Sequence, residues 1–229
     1  MSVNALEAGQ RLRYLARSVV RRGIHRIPGG FIRQFIASPA GIGAICPSSP
    51  WLSRYMAAQV PLDGGLVVEL GAGTGVVTQA LLDRGVPPSS LLVVEFSADF
   101  VRHLRERFPG VKVIQGNAAH LDTMLPPDAN VSAIVSSLPL CSLPSSDTFA
   151  IVRQWNRLFR HTGGRVVQFT YNLGRPPWQR LVETPLGRRH VIGANIPPAQ
   201  VFTLLYPGSP PSCTESHVTS SSQPAHSHN

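Results

Sequence analysis

The chain has 229 residues, of which 43% are apolar, and this composition argues against collagen-like, fully disordered and solenoid proteins. No apolar run reaches 18 residues and no secretory signal begins the chain, so we expect neither a transmembrane helix nor export. The net charge is +9, and residues 1–33 carry +6 of it. Cys46, Cys141 and Cys213 are scattered and match no metal spacing, which favours the cytoplasm and no bound metal.

Residues 5–26 predict a basic amphipathic helix, with Leu12, Leu15 and Val19 on one face at 100° per residue. Five arginines cover the rest of the helical wheel: Arg11, Arg13, Arg17, Arg21 and Arg22. Such a helix suits an anionic membrane surface. Nucleic acid is the alternative partner for an arginine cluster, and a solvated helix packed on its own domain is a third possibility.

Residues 31–206 predict a globular domain that follows the basic segment 1–30. A short helix over Phe31–Ala37 comes first, and Ser49 with Pro50 looks like the N-cap and first position of a helix through Ala58. Residues 207–229 lack periodicity and are rich in Pro, Ser, Thr and His, so we predict a disordered tail.

From Leu66 onward, short apolar strands alternate with helices, the pattern of a mostly parallel sheet covered on both faces. Five strands are predicted over Leu66–Leu70, Leu91–Glu95, Val111–Gln115, Val131–Ser136 and Arg165–Tyr171. Three helices are predicted over Thr74–Arg84, Asp99–Phe108 and Thr148–Arg160. Two late runs, His190–Ile196 and Gln200–Tyr206, are expected to pair as antiparallel edge strands. The fold class is therefore α/β, Rossmann-like, with seven strands.

The strongest motif lies where the first strand gives way to a helix. The turn residues are Gly71, Gly73, Thr74 and Gly75. A dinucleotide fingerprint would need a third glycine at position 76, which is Val76, so the spacing is G-x-G-x-G instead. Glu69 precedes the first glycine by two residues, and Glu95 ends the second strand. Together these features favour an S-adenosylmethionine-dependent methyltransferase of the Rossmann-like class over a nicotinamide enzyme.

Each residue of this motif has an expected role toward S-adenosylmethionine. The glycines shape the turn, and Glu69 fixes the loop or the methionine amino group. Glu95 is expected to hold the ribose hydroxyls, with Phe96 beside the adenine. Asn117 and Ala118 follow the third strand, where this class commonly has an acid near the adenine amino group. Asn117 keeps a carbonyl acceptor but loses the charge.

The end of the fourth strand points to the methyl acceptor. Adenine N6-methyltransferases have an amide and then an aromatic there, whereas this chain has Ser137 and Leu140. The substitution argues against a flipped adenine, and we expect Leu140 to contribute an apolar lining that suits a lipid or another hydrophobic amine. Ser136, Ser137 and Tyr171 are the candidate catalytic residues, with Tyr171 expected to orient the amine or carry its proton; a solvent-facing Tyr171 is the alternative.

The chain resembles the bacterial phospholipid N-methyltransferases that methylate phosphatidylethanolamine. The matching segments are Phe31–Ser49, Val67–Thr78, Val93–Phe100, Phe108–Ala118, Ser136–Pro144, Gln168–Tyr171 and Asn195–Pro198. They span roughly residues 30–205, with Asn117 and Ser137 as departures. The resemblance implies S-adenosylmethionine as donor and an ethanolamine phospholipid as acceptor, on the way to phosphatidylcholine. It also implies that Pro47 and Ser48 help to close the cofactor pocket.

The same resemblance implies peripheral attachment to the inner face of the plasma membrane through the N-terminal helix, without nucleic acid as a partner. Three alternatives stay open at this point. One is methylation of RNA by an enzyme of the ribosomal RNA adenine dimethyltransferase type. A second is methylation of an ornithine lipid. The third is a non-catalytic membrane-surface protein that has kept a cofactor-type fold.

Overall fold

The computed structural model describes residues 49–183, 187–195 and 197–208. The predicted basic helix over residues 5–26, the predicted helix Phe31–Ala37 and residues 209–229 of the predicted tail lie outside these ranges. None of the helices within them is long and apolar enough to span a bilayer.

Seven strands form one sheet. They are β1 (Leu66–Leu70), β2 (Leu91–Glu95), β3 (Lys112–Gln115), β4 (Val131–Ser136), β5 (Gly164–Thr170), β6 (Gly187–Ile192) and β7 (Ala199–Tyr206). Their spatial order is β3-β2-β1-β4-β5-β7-β6, in which β1 to β5 run parallel and β7 runs antiparallel to both of its neighbours. The predicted seven-stranded, mostly parallel α/β sheet is confirmed, including the antiparallel pairing of the last two strands.

Four α-helices and three short 3-10 helices accompany these strands within the described ranges, one α-helix before β1 and the others between strands. The α-helices are α1 (Pro50–Ala58), α2 (Val76–Arg84), α3 (Ala98–Arg107) and α4 (Ser145–Thr162). The 3-10 segments are Pro88–Ser90, Ala118–Thr123 and Pro177–Leu181. Ser49 caps α1 as predicted, because its Oγ accepts the N–H of Leu52 at 3.2 Å. Helix α2 begins two residues later than predicted, because Gly75 occupies the left-handed region with a φ of 80°.

The interior strands β1, β2 and β4 are buried on both faces, which explains why they are mostly continuous valine- and leucine-rich runs, whereas the edge strand β6 is largely exposed. Helices α1, α2 and α3 cover one face with residues such as Leu52, Leu81 and Leu104. Helix α4 covers the other face, where Trp155 packs edge-on against Trp178. With both faces covered, the carboxyl ends of the parallel strands are the edge available to a ligand.

Candidate functional site

The loops after β1, β2 and β4 begin side by side at the carboxyl edge of the sheet. The N–H of Gly71 donates to the carbonyl of Val94 at 2.9 Å, which continues the β1–β2 pairing beyond β1. The N–H of Ser137 donates to the carbonyl of Leu70, also at 2.9 Å. These two bonds place the glycine turn between the acid-bearing end of β2 and the serine-bearing end of β4.

Glu95 holds this region together through its carboxylate. Its Oε2 accepts the N–H of Gly73 and its Oε1 accepts the N–H of Ser97, both at 2.9 Å. The residue is buried, yet a carboxylate has about four acceptor positions, so each oxygen can accept a further hydrogen bond. Glu95 therefore shapes the glycine turn and keeps acceptor capacity at the end of β2, where a ribose is expected.

The three glycines of the turn have positive φ angles but different surroundings. A Cβ at Gly71 would lie 2.6 Å from Cδ2 of Leu138, and a Cβ at Gly75 would lie 2.6 Å from Cε2 of Phe108. A Cβ at Gly73 would have no heavy atom of the described residues within 4 Å. Gly71 and Gly75 thus permit close packing within the fold, whereas Gly73 faces open space at the cofactor edge.

Glu69 is fully buried one strand away from Glu95. Its Oε2 accepts the hydroxyl of Thr78 at 2.7 Å, while its Oε1 has no hydrogen-bond partner among the described residues. The pKa of Glu69 is raised to about 8, chiefly by burial and to a smaller extent by the charge of Glu95, against the lowering effect of the hydrogen bonds to Thr78. A buried carboxyl with an unpartnered oxygen is costly, and a cationic amino group would offset that cost.

Two further predicted cofactor residues lie on the exposed side of this edge. Phe96 directly follows β2, and its ring is exposed, as a position beside an adenine requires. Thr74 is exposed within the turn, and its carbonyl accepts a hydrogen bond from Arg107 at 2.9 Å. This contact fixes the turn against α3.

The residues expected at the adenine edge follow β3. The N–H of Gly116 donates to the carbonyl of Glu95 at 3.0 Å, which keeps this loop beside the end of β2. Asn117 is exposed, and its Oδ1 accepts the N–H of Ala119 at 2.9 Å as the cap of a 3-10 helix. The carbonyl acceptor that we expected for the adenine amino group is therefore engaged by the backbone. Ala118 is buried.

Ser136 ends β4 and Ser137 directly follows it, at the carboxyl edge of the sheet. Ser136 is completely buried, and its Oγ lies 3.5 Å from the N–H of Leu138. The Oγ of Ser137 is buried and has no hydrogen-bond partner in the part of the chain that the structure describes. Such a hydroxyl is available to an incoming polar group.

The expectation that Leu140 lines the acceptor site is wrong. Leu140 is only 3% exposed and packs in the core beneath α4, where its carbonyl accepts the hydroxyl of Thr148 at 3.0 Å. The leucine that reaches the cofactor turn is Leu138, whose side chain meets Gly71. The chain turns inward directly after Pro139, and sequence spacing alone did not reveal that turn.

Gln168 is a site residue that the sequence analysis did not single out. It is completely buried on β5, where it pairs in register with Ser136. Its Nε2 donates to the carbonyl of Leu138 at 2.9 Å and also to that of Phe169, while its Oε1 has no partner among the described residues. Gln168 therefore fixes the loop after β4. A glutamine between Val167 and Phe169 in an interior strand was the available sequence signal.

Tyr171 follows β5 directly and is half-buried. Its ring packs edge-on against Phe169 with centroids 5.4 Å apart. Pro47, Ser48 and the five arginines of the predicted basic helix lie outside the described residues. The neighbouring Ser49 N–H donates to Oδ1 of Asn195 at 3.1 Å, which attaches the start of α1 to the β6–β7 connection.

The residues at the ends of β1 and β2 fit S-adenosylmethionine. Gly73 borders open space, the free oxygen of Glu69 can accept from an ammonium, and Glu95 can accept from ribose hydroxyls. No metal is needed for transfer from a sulfonium, because the leaving group is a neutral thioether.

Comparison with known proteins supports this assignment. A family described as "Methyltransferase domain" matches residues 67–163. The ornithine lipid N-methyltransferase of Singulisphaera acidiphila is 38% identical over 133 residues, which are 54% of this chain and 69% of that protein. A trans-aconitate 2-methyltransferase of Rhodopseudomonas palustris is 42% identical over 69 residues, which are 30% of this chain and only 27% of that protein.

Solved structures show the same fold at low sequence identity. TrmN from Thermus thermophilus superposes with a TM-score of 0.54 at 20% identity, covering 71% of this chain and 51% of that one. A TehB-like SAM-dependent methyltransferase from Corynebacterium glutamicum superposes with a TM-score of 0.51 at 15% identity, covering 76% of this chain and 95% of that one. With the glycine turn and two strand-end acids in place, the chain belongs to the class I S-adenosylmethionine-dependent methyltransferases.

Proposed function

We propose that this enzyme transfers methyl groups from S-adenosylmethionine to the primary amine of a membrane lipid. The observation that carries the proposal is the 38% identity to an ornithine lipid N-methyltransferase across 69% of that protein's length. The resemblance to phospholipid N-methyltransferases, found from separate sequence motifs, points to the same class of acceptor.

The reaction makes modest demands on the protein. A neutral amine attacks the sulfonium methyl group, so that a C–N bond forms as the S–CH₃ bond breaks. The positive charge moves from sulfur to nitrogen, and one N–H proton then passes to solvent. Positioning of the two reactants can supply most of the rate acceleration.

The described residues divide this task between two groups. Glu69, Gly73 and Glu95 bind and orient the donor at the ends of β1 and β2. Ser137 is assigned to the acceptor, because its hydroxyl is buried and has no partner among the described residues. Its N–H donates to the carbonyl of Leu70, which keeps it beside the glycine turn. Tyr171 is the candidate that orients the amine or carries its proton.

Two lipids carry the primary amine that the proposed reaction requires. Phosphatidylethanolamine carries its amine next to a phosphodiester, and ornithine lipid carries its amine on a side chain near a carboxylate. The named relative favours ornithine lipid, while the motif resemblance favours phosphatidylethanolamine and its mono- and dimethylated forms. We place ornithine lipid first, because the 38% identity to the ornithine lipid N-methyltransferase extends over 133 aligned residues, whereas the other resemblance rests on separate short motifs.

RNA methylation is the less favoured function. Recognition of a flipped adenine needs an amide and a stacking aromatic after β4. Ser137 stands in the amide position, and Leu140, in the aromatic position, is buried in the core. A buried leucine at that position offers no stacking surface to a base, which supports a lipid over RNA as the acceptor.

Attachment to the inner face of the plasma membrane through residues 1–30 is part of the same proposal. Each arginine near an anionic bilayer contributes about 1 kcal/mol. Replacing Arg13, Arg17 and Arg21 by glutamate should strongly weaken sedimentation with anionic vesicles and leave cofactor binding intact. Sedimentation equal to that of the wild type would refute the role of the helix.

The deciding experiment supplies purified protein with methyl-labelled S-adenosylmethionine and vesicles of phosphatidylglycerol. One set of vesicles contains ornithine lipid, another contains phosphatidylethanolamine, and a third contains phosphatidylcholine as a lipid without a primary amine. Label in one of the first two lipids identifies the acceptor, and the chromatographic position of the product counts the methyl groups. Absence of label in both, with cofactor binding demonstrated, would refute the proposal, and ribosomal RNA would be the next acceptor to test.

A further inference from the structure

Six large apolar side chains among the described residues are between 49% and 65% exposed, and they are not scattered evenly. They are Trp51, Leu62, Phe96, Phe149, Leu173 and Val191. Five of them lie at the carboxyl edge of the sheet, where the glycine turn is. Single exposed apolar residues need no explanation, but a concentration on one edge does.

The topology fixes the position of each of the five. Phe96 directly follows β2, and Leu173 lies three residues beyond the end of β5. Phe149 is near the start of α4, which follows the β4 loop and is bonded to it through Thr148. Val191 is near the end of β6, which runs parallel to β5 because both pair antiparallel with β7.

Trp51 joins this group through the start of α1. Ser49, two residues earlier, donates its N–H to Asn195, which lies in the connection that follows β6. Leu62 is the exception, because it precedes β1 and lies 3.9 Å from the Cβ position of Gly85, at the far end of α2. Leu62 therefore marks the opposite edge of the sheet.

Exposed arginines accompany these side chains. Arg54, Arg153, Arg175 and Arg189 lie within four residues of Trp51, Phe149, Leu173 and Val191, respectively, and all four are exposed. Asp147 is the only acid within the same four-residue windows. Apolar side chains interspersed with arginines complement a bilayer surface that combines acyl chains with anionic headgroups.

We infer that the carboxyl-edge rim, formed by Trp51, Phe149, Leu173 and Val191, is a second membrane-contact surface within the methyltransferase domain. Contact there brings the opening of the cofactor site against the bilayer, so the lipid amine reaches Ser137 while its acyl chains stay in the membrane. This inference rests on the proposed function for its choice of partner, and it is separate from the predicted basic helix.

Tryptophan fluorescence tests the orientation without measuring methyl transfer. The chain has three tryptophans, and Trp155 and Trp178 are buried, so Trp51 is the exposed probe. Vesicles of phosphatidylglycerol and phosphatidylcholine with brominated acyl chains should quench the full-length protein. The Trp51→Phe variant should lose that quenching.

A matched pair of variants compares the two edges. In the Trp51→Phe background, Leu173→Trp should regain quenching by the brominated vesicles, whereas Leu62→Trp should not. Equal quenching of both variants would overturn the assignment of the rim as a membrane-contact surface. Quenching of neither, while the protein sediments with the vesicles, would also overturn it and would place residues 1–48 or another copy of the chain over the rim instead of lipid.

Binding gives an independent measure with the same control. Leu173→Asp should weaken vesicle binding by about tenfold, because one large apolar side chain no longer enters the bilayer. Leu62→Asp should leave vesicle binding unchanged. An equal loss of vesicle binding in both variants would contradict the membrane-contact role of the rim. Edge-specific quenching without lipid methylation would refute the proposed function but not the surface, so the two failures are distinguishable.

Discussion

The carboxylate of Glu95 accepts the backbone N–H of Gly73 at 2.9 Å, across 22 residues of sequence. The second strand acid and the middle glycine of the turn are therefore one structural unit. An acid that served only as a ribose ligand could be removed without disturbing the turn. Here its removal frees the turn as well, because the N–H of Gly73 loses its acceptor, and the N–H of Ser97 after β2 loses the same carboxylate.

Replacement of Glu95 by alanine should lower the affinity for S-adenosylmethionine by about 100-fold or more, since charge-assisted hydrogen bonds contribute about 1.5–3 kcal/mol each. Isothermal titration of the purified variant measures this loss. Asp99→Asn is the control, because Asp99 is an exposed acid four residues away that pairs with Arg102. Unchanged affinity in Glu95→Ala would refute the ribose assignment.

The pKa of Glu69 makes stability depend on pH. Burial raises this pKa from its ordinary 4.5 to about 8, so between these values the folded protein binds more protons than the unfolded chain. The stabilisation from the protonated carboxyl is present below pH 4.5 and is lost as the pH rises toward 8. Thermal unfolding should show a falling Tm across this window.

The Glu69→Gln variant separates folding from binding. Its amide oxygen can still accept the hydroxyl of Thr78, so the variant should keep its Tm as pH rises and exceed the wild type at pH 8 and above. Cofactor affinity should fall, because the amide, unlike the carboxyl, cannot ionise to pair with the methionine ammonium. A variant with the wild-type pH dependence would show that another group causes it.

Alanine at Gly73 and at Gly75 should have different consequences. Both positions have left-handed backbones, which cost alanine about 1–2 kcal/mol. Gly75→Ala also forces Phe108 aside, adding about 1–3 kcal/mol of overpacking, and should show the larger loss in chemical denaturation. Gly73→Ala places its methyl group in open space, so it should fold more stably than Gly75→Ala yet bind S-adenosylmethionine more weakly. Equal cofactor affinity in Gly73→Ala and wild type would contradict the proposal that Gly73 borders the bound cofactor.

Gln168→Leu should lower kcat by about tenfold or more while cofactor affinity stays near the wild-type value. The leucine cannot donate to the carbonyl of Leu138, so the loop after β4 loses its tie to β5. Steady-state kinetics with the lipid acceptor, together with cofactor titration, separate the two effects. Gln59→Leu is the control at the opposite edge, where Gln59 donates to the Tyr55 carbonyl at 3.3 Å. A parallel fall in both affinity and kcat would indicate general destabilisation.

The fold class and the glycine turn with its two acids could be predicted from the sequence. Buried strands, helices and the G-x-G-x-G turn are local patterns, since strand and helix periodicity and the conformational needs of glycine act over a few residues. Glu69 and Glu95 could be placed beside that turn because each ends or nearly ends a parallel strand, and such ends share one edge.

The surroundings of the predicted acceptor residues depend on tertiary packing. Leu140 was expected at the site but turns into the core, while Gln168 was hidden in an apolar strand and reaches Leu138 across 30 residues. The carboxyl-edge rim likewise combines segments from four distant parts of the chain. Which side chains meet at such places depends on long-range packing of loops and strands, and the periodicity of a single segment carries no information about its neighbours in space.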